Sequence, residues 1–350
     1  MNVALTFNVK PDNTTEVDAL STSQNASLLS SEKISDRFAE WDTWETINAV
    51  KDALSLEHNV TLVEADYYAF NKLHTLNPDI VFNIAEGING ISREAQIPAM
   101  LDMLNIPYTG SDPLTLSTCL DKSRTKEILS YHKIPNAPFI CIENLDQLKN
   151  YSPEFPLIVK PVAEGSSKGI FSSSFVENEE AMRIEVERAL TEYQQPVLIE
   201  EFLSGREFTV AVMGNGKEAR VLPIIEISFE EFDDDFIPLY SYEAKWILDG
   251  KENQLDIYRC PADITPELEK EITEICLKAY RVLNCKDWSR IDVRLDKNGK
   301  PNIIEVNPLP GILPDPRDNS CYPKAARTLG LDYNQMLLSV LNEARKRYGI

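Results

Sequence analysis

Two short segments near the C-terminus, 290–295 and 303–307, alternate between polar and aliphatic side chains, and an Asn-Gly pair separates them. Side chains two apart on a strand share a face, and Asn-Gly is a strong hairpin turn signal. Folding this hairpin would bring together three oxygen ligands, Asp292, Glu305 and Asn307. Such ligands on rigid strands can form a Mg²⁺ site of the kind that holds nucleotide phosphates. Arg290 beside them can stabilise charge that develops during a transfer reaction. The alternative is a plain amphipathic hairpin with a solvated polar face.

A lysine followed by a glycine/serine-rich loop is the second candidate feature. Lys160 ends the apolar segment 156–161, so its ammonium can lie at the mouth of a site as a counter-charge for phosphate. In the loop 164–169 that follows, small residues let backbone N–H groups approach phosphate closely. The segment has neither the GxxxxGK[ST] order of a P-loop nor the GxGxxG of a dinucleotide site. Most loops of this composition are only turns.

The apolar segment 197–203, which contains Glu200 and Glu201, is the third candidate. As a strand it can offer backbone groups to an adenine edge and a carboxylate to ribose hydroxyls. Taken by itself it is more typical of a plain buried strand. Its position after Lys160 is what favours a nucleotide site.

The composition narrows the class of protein. The chain has 350 residues, is 43% hydrophobic and 26% charged, and carries a formal charge of −21. This length suits two or three domains. With neither a signal peptide nor a long apolar span, we expect a cytoplasmic protein. The negative charge argues against nucleic acid and membrane surfaces as partners. Six scattered cysteines without a CxxC pair, and only three histidines, predict reduced thiols rather than disulfides or zinc.

The elements that must position these residues follow from hydrophobic periodicity. Strands are predicted at 3–9, 60–63, 80–84, 156–161, 197–203, 207–212, near 220–229, 290–296 and 302–307. Helices are predicted at 44–56, 92–104, 121–133, 179–193, 333–347 and from the N-cap Thr265 onward. The early alternation of strand and helix predicts a parallel α/β first domain. We predict domains at 1–114, 115–206 and 207–350, a loop or lid at 12–36, and a solvated acidic loop rather than a second metal site at 230–235.

Taken in order, these pieces resemble the ATP-grasp superfamily and, within it, the D-alanine–D-alanine ligase family. The matching segments lie within roughly residues 80–340 and are PYTGS at 107–111, DKSRTK at 121–126, IVKP at 158–161, EGSS at 164–167, the stretch 197–209, YEAK at 242–245, RID at 290–292 and EVNP at 305–308. The resemblance implies an α/β and α+β multidomain chain. Its ATP-grasp fold would be preceded by a Rossmann-like parallel α/β N-terminal domain.

The resemblance also implies roles for individual residues. The ATP-binding set it implies is Lys122, Lys160, Glu164, Ser166, Ser167, Glu200, Glu201, Phe202, Leu203, Glu207 and Lys245. Within this set, Lys245 should reach the γ-phosphate and Glu207 the ribose. Two Mg²⁺ ions, for which Mn²⁺ could substitute, should be bound by Asp292, Glu305 and Asn307. The implied catalytic set is Arg290, Lys245, the backbone N–H of Gly311, and Ser166. The loop 164–169 and the segment 230–245 should close over ATP.

The chain departs from the family pattern around the amino-acid substrates. The family's His-Gly segment is replaced by NIAEG at 83–87, and Arg93-Glu94 stands where an acidic residue normally begins the next helix. The short Ser-Leu segment after the metal-binding asparagine is replaced by a longer stretch, 310–323. Arg317 in that stretch could bind a carboxylate bidentately or be an exposed loop residue. These departures leave the ligase chemistry intact but leave the identity of the substrates open.

The leading interpretation is an ATP- and Mg²⁺-dependent carboxylate–amine ligase that joins two amino acids through an acylphosphate. Phosphoryl transfer needs positioning and charge neutralisation rather than a protein nucleophile, which fits the residues present. Within this interpretation, D-Ala–D-Ala synthesis for peptidoglycan competes with a ligase that makes a different dipeptide or amino-acid conjugate. A non-catalytic nucleotide-binding module is the second class. The resemblance also makes a homodimer an option.

Overall fold

The first sheet in the chain is parallel and has three strands. It belongs to a computed structural model that describes residues 1–11, 38–87, 89–229 and 257–350. Its order is β2–β1–β3, with β1 at Asn2–Phe7, β2 at Asn59–Glu64 and β3 at Ile80–Asn83. Parallel neighbours need long crossover connections. Helices α1 (Trp44–Ser55) and α2 (Ala69–Leu76) lie between the strands in the chain. The predicted parallel α/β fold of the N-terminal part is confirmed.

Three helices lead from this sheet toward the cleft described below. They are α3 (Gln96–Leu104), which follows a 3₁₀ turn at Arg93–Ala95, α4 (Pro113–Leu120) and α5 (Lys122–Tyr131). Asp121 lies between α4 and α5, and its carboxylate caps α5 by accepting the backbone N–H groups of Ser123 and Arg124. Lys122 and Lys126, four residues apart and therefore on one face of α5, are both buried.

The second sheet is antiparallel, in the order β4–β7–β5–β6. Its strands are β4 (Phe139–Ile142), β5 (Leu157–Pro161), β6 (Phe175–Val176) and β7 (Val197–Glu201). Helix α6 (Glu179–Tyr193) begins after the N-cap Asn178 and packs Met182, Val186 and Ala189 against the sheet. Short 3₁₀ helices at Leu145–Asn150 and Ser172–Ser174 complete this part of the chain.

The third sheet is the largest, with the strand path β11–β10–β8–β12–β13 and β9 paired to β8. Its strands are β8 (Glu207–Met213), β9 (Arg220–Val221), β10 (Ile225–Ile227), β11 (Tyr258–Arg259), β12 (Trp288–Leu295) and β13 (Pro301–Asn307). Helix α7 (Pro266–Val282) covers one face through Ile272, Cys276 and Ala279. Helices α8 (Cys321–Thr328) and α9 (Tyr333–Tyr348) cover the other face and share a core with α1 and the first sheet.

The structure confirms the predicted helices and the predicted hairpin, with end points that differ by a few residues. Elements with weak local patterns had no prediction, namely α2, α4, α8 and the strands β4, β6 and β11. The predicted lid at 12–36 and the acidic run at 230–235 lie outside the described residues. In the described part of the chain all six cysteines are free thiols, as expected, and no helix is long and apolar enough to cross a membrane. The domain boundaries after residues 114 and 206 stay predictions.

Candidate active site

A single cleft gathers most of the candidate residues from widely separated parts of the chain. The predicted residues that line it are Lys122, Lys160, Glu164, Ser166, Ser167, Glu200, Glu201, Phe202, Leu203, Glu207, Arg290, Asp292 and Glu305. They come from α5, from the second and third sheets, and from the loop after β5. Asn307 lies beside this set, within 3.4 Å of Asp292. Lys245 lies outside the described residues.

The hairpin β12–β13 supplies the acidic end of the cleft. The two strands are antiparallel, and Asp292 pairs with Glu305 while Arg290 pairs with Asn307. The register then shifts, because Val293 pairs with Ile303 and leaves Ile304 without a partner. Such a bulge changes which side chains face each way. Ile304 and Glu305, although consecutive, therefore both line the cleft.

Cations and a hydroxyl already surround the two carboxylates. Asp292 accepts hydrogen bonds from Thr209 Oγ1 at 2.8 Å and from the guanidinium of Arg290 at 2.9 and 3.1 Å. Glu305 forms an ion pair with Lys122 at 2.8 Å. Burial by itself would raise the pKa of Glu305, but Lys122 and Lys160 outweigh burial and hold that pKa below its ordinary value. Glu305 is thus ionised and, with Asp292 paired opposite it, able to bind a cation.

The protein side chains supply only some of the ligands that a Mg²⁺ ion needs. Two carboxylates and the amide oxygen of Asn307 are hard ligands of the type Mg²⁺ prefers. Among the described residues no group of three or more His, Cys, Asp or Glu side chains is close enough to hold a metal. A site of this kind takes its remaining ligands from waters and substrate phosphates. The residues therefore fit an ion that arrives with a nucleotide.

A buried carboxylate between two lysines forms the wall of the cleft. Glu200 lies 2.5 Å from Lys160 Nζ and 2.8 Å from Lys126 Nζ. All three side chains are buried. Burial would raise the pKa of Glu200, but the two ammonium groups outweigh it and lower that pKa to about 2. Lys126 lies in the matching segment 121–126 but had no predicted role, although its spacing of four residues from Lys122 is a signal for a shared helix face.

The loop after β5 is held in a strained conformation above the lysines. Ser166 and Ser167 both have positive φ, 51° and 61°, in the left-handed region. This region is unfavourable for residues with a Cβ and persists only where the surroundings enforce it. Lys122 Nζ donates a hydrogen bond to the carbonyl of Glu164. Lys168 forms an ion pair with the Glu164 carboxylate at 2.7 Å. These contacts fix the loop over the ammonium groups that would face phosphate.

The opposite end of the cleft has an ion pair of its own. Arg294 pairs with Glu207 at 2.9 Å and lies over the ring of Phe202 at 4.6 Å. Its Nε donates to the carbonyl of Gly205 at 3.2 Å. Burial raises the pKa of Glu207 despite Arg294 and lowers the pKa of Arg294 despite Glu207. This pair therefore holds the Glu207 carboxylate in position although burial disfavours both charges. Arg294 had no predicted role.

Comparison with known proteins gives the family. A model described as D-ala D-ala ligase C-terminus matches residues 128–342, which is more than half of the chain. The chain belongs to the D-alanine–D-alanine ligase family.

Individual relatives agree with this family assignment. The D-alanine--D-alanine ligase of Haemophilus influenzae is 34% identical over 293 residues, covering 81% of this chain and 86% of the relative. An uncharacterized protein of Sinorhizobium fredii, y4sG, is 33% identical over 303 residues, covering 83% and 84%. A crystal structure of D-alanine--D-alanine ligase from Bacillus anthracis has the same fold, with a TM-score of 0.70, 24% identity and coverage of 100% and 99%. The predicted resemblance and the ATP-grasp multidomain fold are thereby confirmed.

The departures from the ligase family's pattern lie on the N-terminal side of the cleft. Glu86 lies in the segment 83–87 that replaces the family's His-Gly segment, and Glu94 follows Arg93 where an acidic residue normally begins the next helix. Burial, followed by repulsion among neighbouring carboxylates, raises the pKa of Glu86 well above its ordinary value and that of Glu94 to about 8. Lys122 and Glu305 are among the charges that act on Glu94.

The stretch 310–323 has two residues with distinct environments. The side chain of Arg317 is 79% exposed and pairs with Asp315 at 2.5 Å, so the structure favours the exposed-loop alternative. Gly311 is exposed, and its carbonyl accepts from Ser320 Oγ at 3.3 Å. It does not line the cleft that holds the other candidates. The oxyanion role of its backbone N–H stays a prediction.

Proposed function

We propose that this chain is an ATP-dependent carboxylate–amine ligase that joins two amino acids through a peptide bond, as the name of its ligase relatives describes. The observation that carries the proposal is one cleft in which Lys160 and the strained serine loop lie close to Arg290, Asp292 and Glu305. Phosphoryl transfer requires this combination of phosphate counter-charges with a carboxylate pair for the metal ion.

The lysines and the loop would bind the triphosphate. Lys122 and Lys160 supply positive charge, and the backbone N–H groups around Ser166 and Ser167 supply hydrogen-bond donors. Glu207 would accept hydrogen bonds from the ribose hydroxyls, while strand β7 and the following Phe202 would contact the adenine base. Lys245 is proposed, as the sequence implies, to reach the γ-phosphate.

Asp292, Glu305 and Asn307 would hold Mg²⁺ between them and the phosphates. The ion, when bound, neutralises charge on the phosphate oxygens. Lys122 and Arg290, which pair with these carboxylates in the structure, would supply positive charge to the phosphates and the reacting carboxylate. Arg290 would donate hydrogen bonds to the oxygen atoms that gain negative charge, and stabilisation of this kind is usually the largest single catalytic contribution.

The proposed steps are those that the family resemblance implies. The carboxylate of the first amino acid attacks the γ-phosphorus of ATP, giving an acylphosphate and ADP. The amine of the second amino acid then attacks the acyl carbon, loses a proton, and phosphate leaves. A closed loop over the phosphates would exclude water from the acylphosphate.

A ligase for a pair other than two D-alanines is the second candidate. It is favoured by Glu86 and Glu94 on the N-terminal side and by the altered stretch 310–323. These residues change the surroundings of the amino acids and leave the nucleotide side unchanged. Peptidoglycan synthesis is the pathway only if D-alanine is the substrate.

The experiment is ATP-dependent phosphate release with Mg²⁺, measured across D- and L-amino acids singly and in pairs. Release with D-alanine alone and a dipeptide product would identify a D-Ala–D-Ala ligase, and release with another pair would identify the second candidate. Arg290→Lys and Glu305→Gln should lose turnover by at least about a hundredfold, the usual effect of removing a transition-state donor. Arg317→Ala, at an exposed position, is the control. Nucleotide binding without release for any pair would instead indicate a non-catalytic module.

A further inference from the structure

An arginine from the N-terminal part of the chain reaches across to the serine loop. Arg93 lies in the 3₁₀ turn before α3, and its Nη1 donates to the carbonyl of Ala163 at 2.8 Å. Its Nη2 lies 3.5 Å from the Glu164 carboxylate. These two loop residues follow β5 directly, some seventy positions further along the chain.

The same guanidinium is held from behind by Glu40. Arg93 Nη2 lies 2.9 and 3.0 Å from the two oxygens of the Glu40 carboxylate. Each of these two side chains is only 8% exposed. A buried pair of this kind adds little net stability, since desolvation offsets the attraction, and its value lies in fixing a geometry.

Glu40 also contacts the loop itself. Its Oε1 accepts the backbone N–H of Gly165 at 2.9 Å. A Cβ at Gly165 would collide with that oxygen in its present position, so a larger residue would require the Glu40 carboxylate to move. Glu40 and Arg93 therefore contact three consecutive loop residues. Arg93 contacts the carbonyl of Ala163 and the side chain of Glu164, and Glu40 accepts the N–H of Gly165.

We propose that Glu40 and Arg93 are positioning residues that latch the loop 163–169 in its closed conformation over the nucleotide phosphates. The proposal rests on the proposed function, because the loop's task is to cover ATP. It accounts for the left-handed Ser166 and Ser167, which need outside contacts to persist. It also ties the loop to Glu94, the neighbour of Arg93 on the N-terminal side of the cleft.

The test compares Glu40→Gln and Arg93→Lys with the wild type. We expect the KM for ATP to rise by about tenfold, equivalent to ~1.4 kcal/mol, with a smaller change in kcat. Amide hydrogen exchange of residues 163–169, measured without nucleotide, should become faster in both variants. Lys72→Ala is the matched control, because Lys72 pairs with Asp66 at 2.8 Å in the same N-terminal part but is 44% exposed.

A second pair of variants keeps the test independent of folding defects at Arg93. Gly165→Ala should open the loop, since its methyl group would meet the Glu40 carboxylate, and adding Glu40→Ala should raise KM little further, because both changes break the same contact. Loop exchange equal to the wild type in Glu40→Gln and Arg93→Lys would overturn the latch. Failure of the wild type to bind ATP would overturn the proposed function instead, and the exchange experiment would still decide whether the latch exists.

Discussion

Replacing Glu200 by glutamine should destabilise the fold more than any exposed charge change. Its carboxylate is the counter-ion of two buried ammonium groups, those of Lys126 and Lys160. Glu200→Gln keeps the shape of the side chain and removes its charge. Both lysines would then be buried without an opposite charge at contact distance.

The magnitude follows from the pKa of Glu200. The gap between its ordinary value of 4.5 and about 2 in the fold corresponds to about 3 kcal/mol of stability at neutral pH. This agrees with the ~3–5 kcal/mol that removal of one partner from a buried pair typically costs. Because the pKa is lower in the folded chain, the contribution is complete above the unfolded pKa. It is lost as the pH falls from about 4.5 toward 2.

The assay is thermal unfolding without nucleotide, followed by fluorescence at several pH values. At pH 7 we expect Glu200→Gln to melt roughly 5 °C or more below the wild type. Between pH 5 and pH 3 the stability difference should shrink by about 2 kcal/mol. Glu127→Gln is the control, since Glu127 is 52% exposed in its pair with Arg124 and should change stability by less than ~1 kcal/mol. Equal melting of Glu200→Gln and wild type at pH 7, or a difference independent of pH, would refute the reasoning.

Two further predictions concern the other buried ion pairs. Asp287→Asn should lower the free energy of unfolding by ~3–5 kcal/mol, because the fully buried Asp287 pairs with Arg347 at 2.8 Å and accepts the N–H of Gly110 at 2.8 Å. ATP binding should persist in this variant. An unchanged melting temperature would contradict the prediction. Arg294→Met should free Glu207, the proposed acceptor for the ribose hydroxyls, from its fixed position. The preference for ATP over 2′-deoxyATP, measured as a ratio of kcat/KM, should then fall several-fold. An unchanged ratio would exclude Arg294 as the residue that positions Glu207.

The sequence predicted elements where the signals are local. Thr265, followed by proline, marked the start of α7, and the Asn-Gly pair marked the turn between β12 and β13. Asp292 and Glu305 were expected on one face of that hairpin and do pair there. Alternation along a strand predicts this much because successive side chains point to opposite faces.

The same alternation could not predict the bulge at Ile304. The sequence has no distinctive residue there, and the bulge exists because the register between two strands shifts. The sequence pattern also did not predict that Arg294 pairs with Glu207 or that Arg93 pairs with Glu40, because these partners lie 87 and 53 residues away in the chain. Pairing at such separations depends on how whole elements pack, so a single charged residue gives no local sign of it.

The sequence by itself determined the class of chemistry, because an ordered set of lysines, acids and a glycine/serine loop implies a family and a nucleotide site. Only the tertiary structure decided which charges neutralise one another. Glu200 between Lys126 and Lys160, and Glu40 behind Arg93, are contacts between elements that are distant in the chain. The physical reason is that residue type and spacing fix which groups are present and on which local face, whereas burial and ion pairing depend on distances set by the packing of sheets and helices.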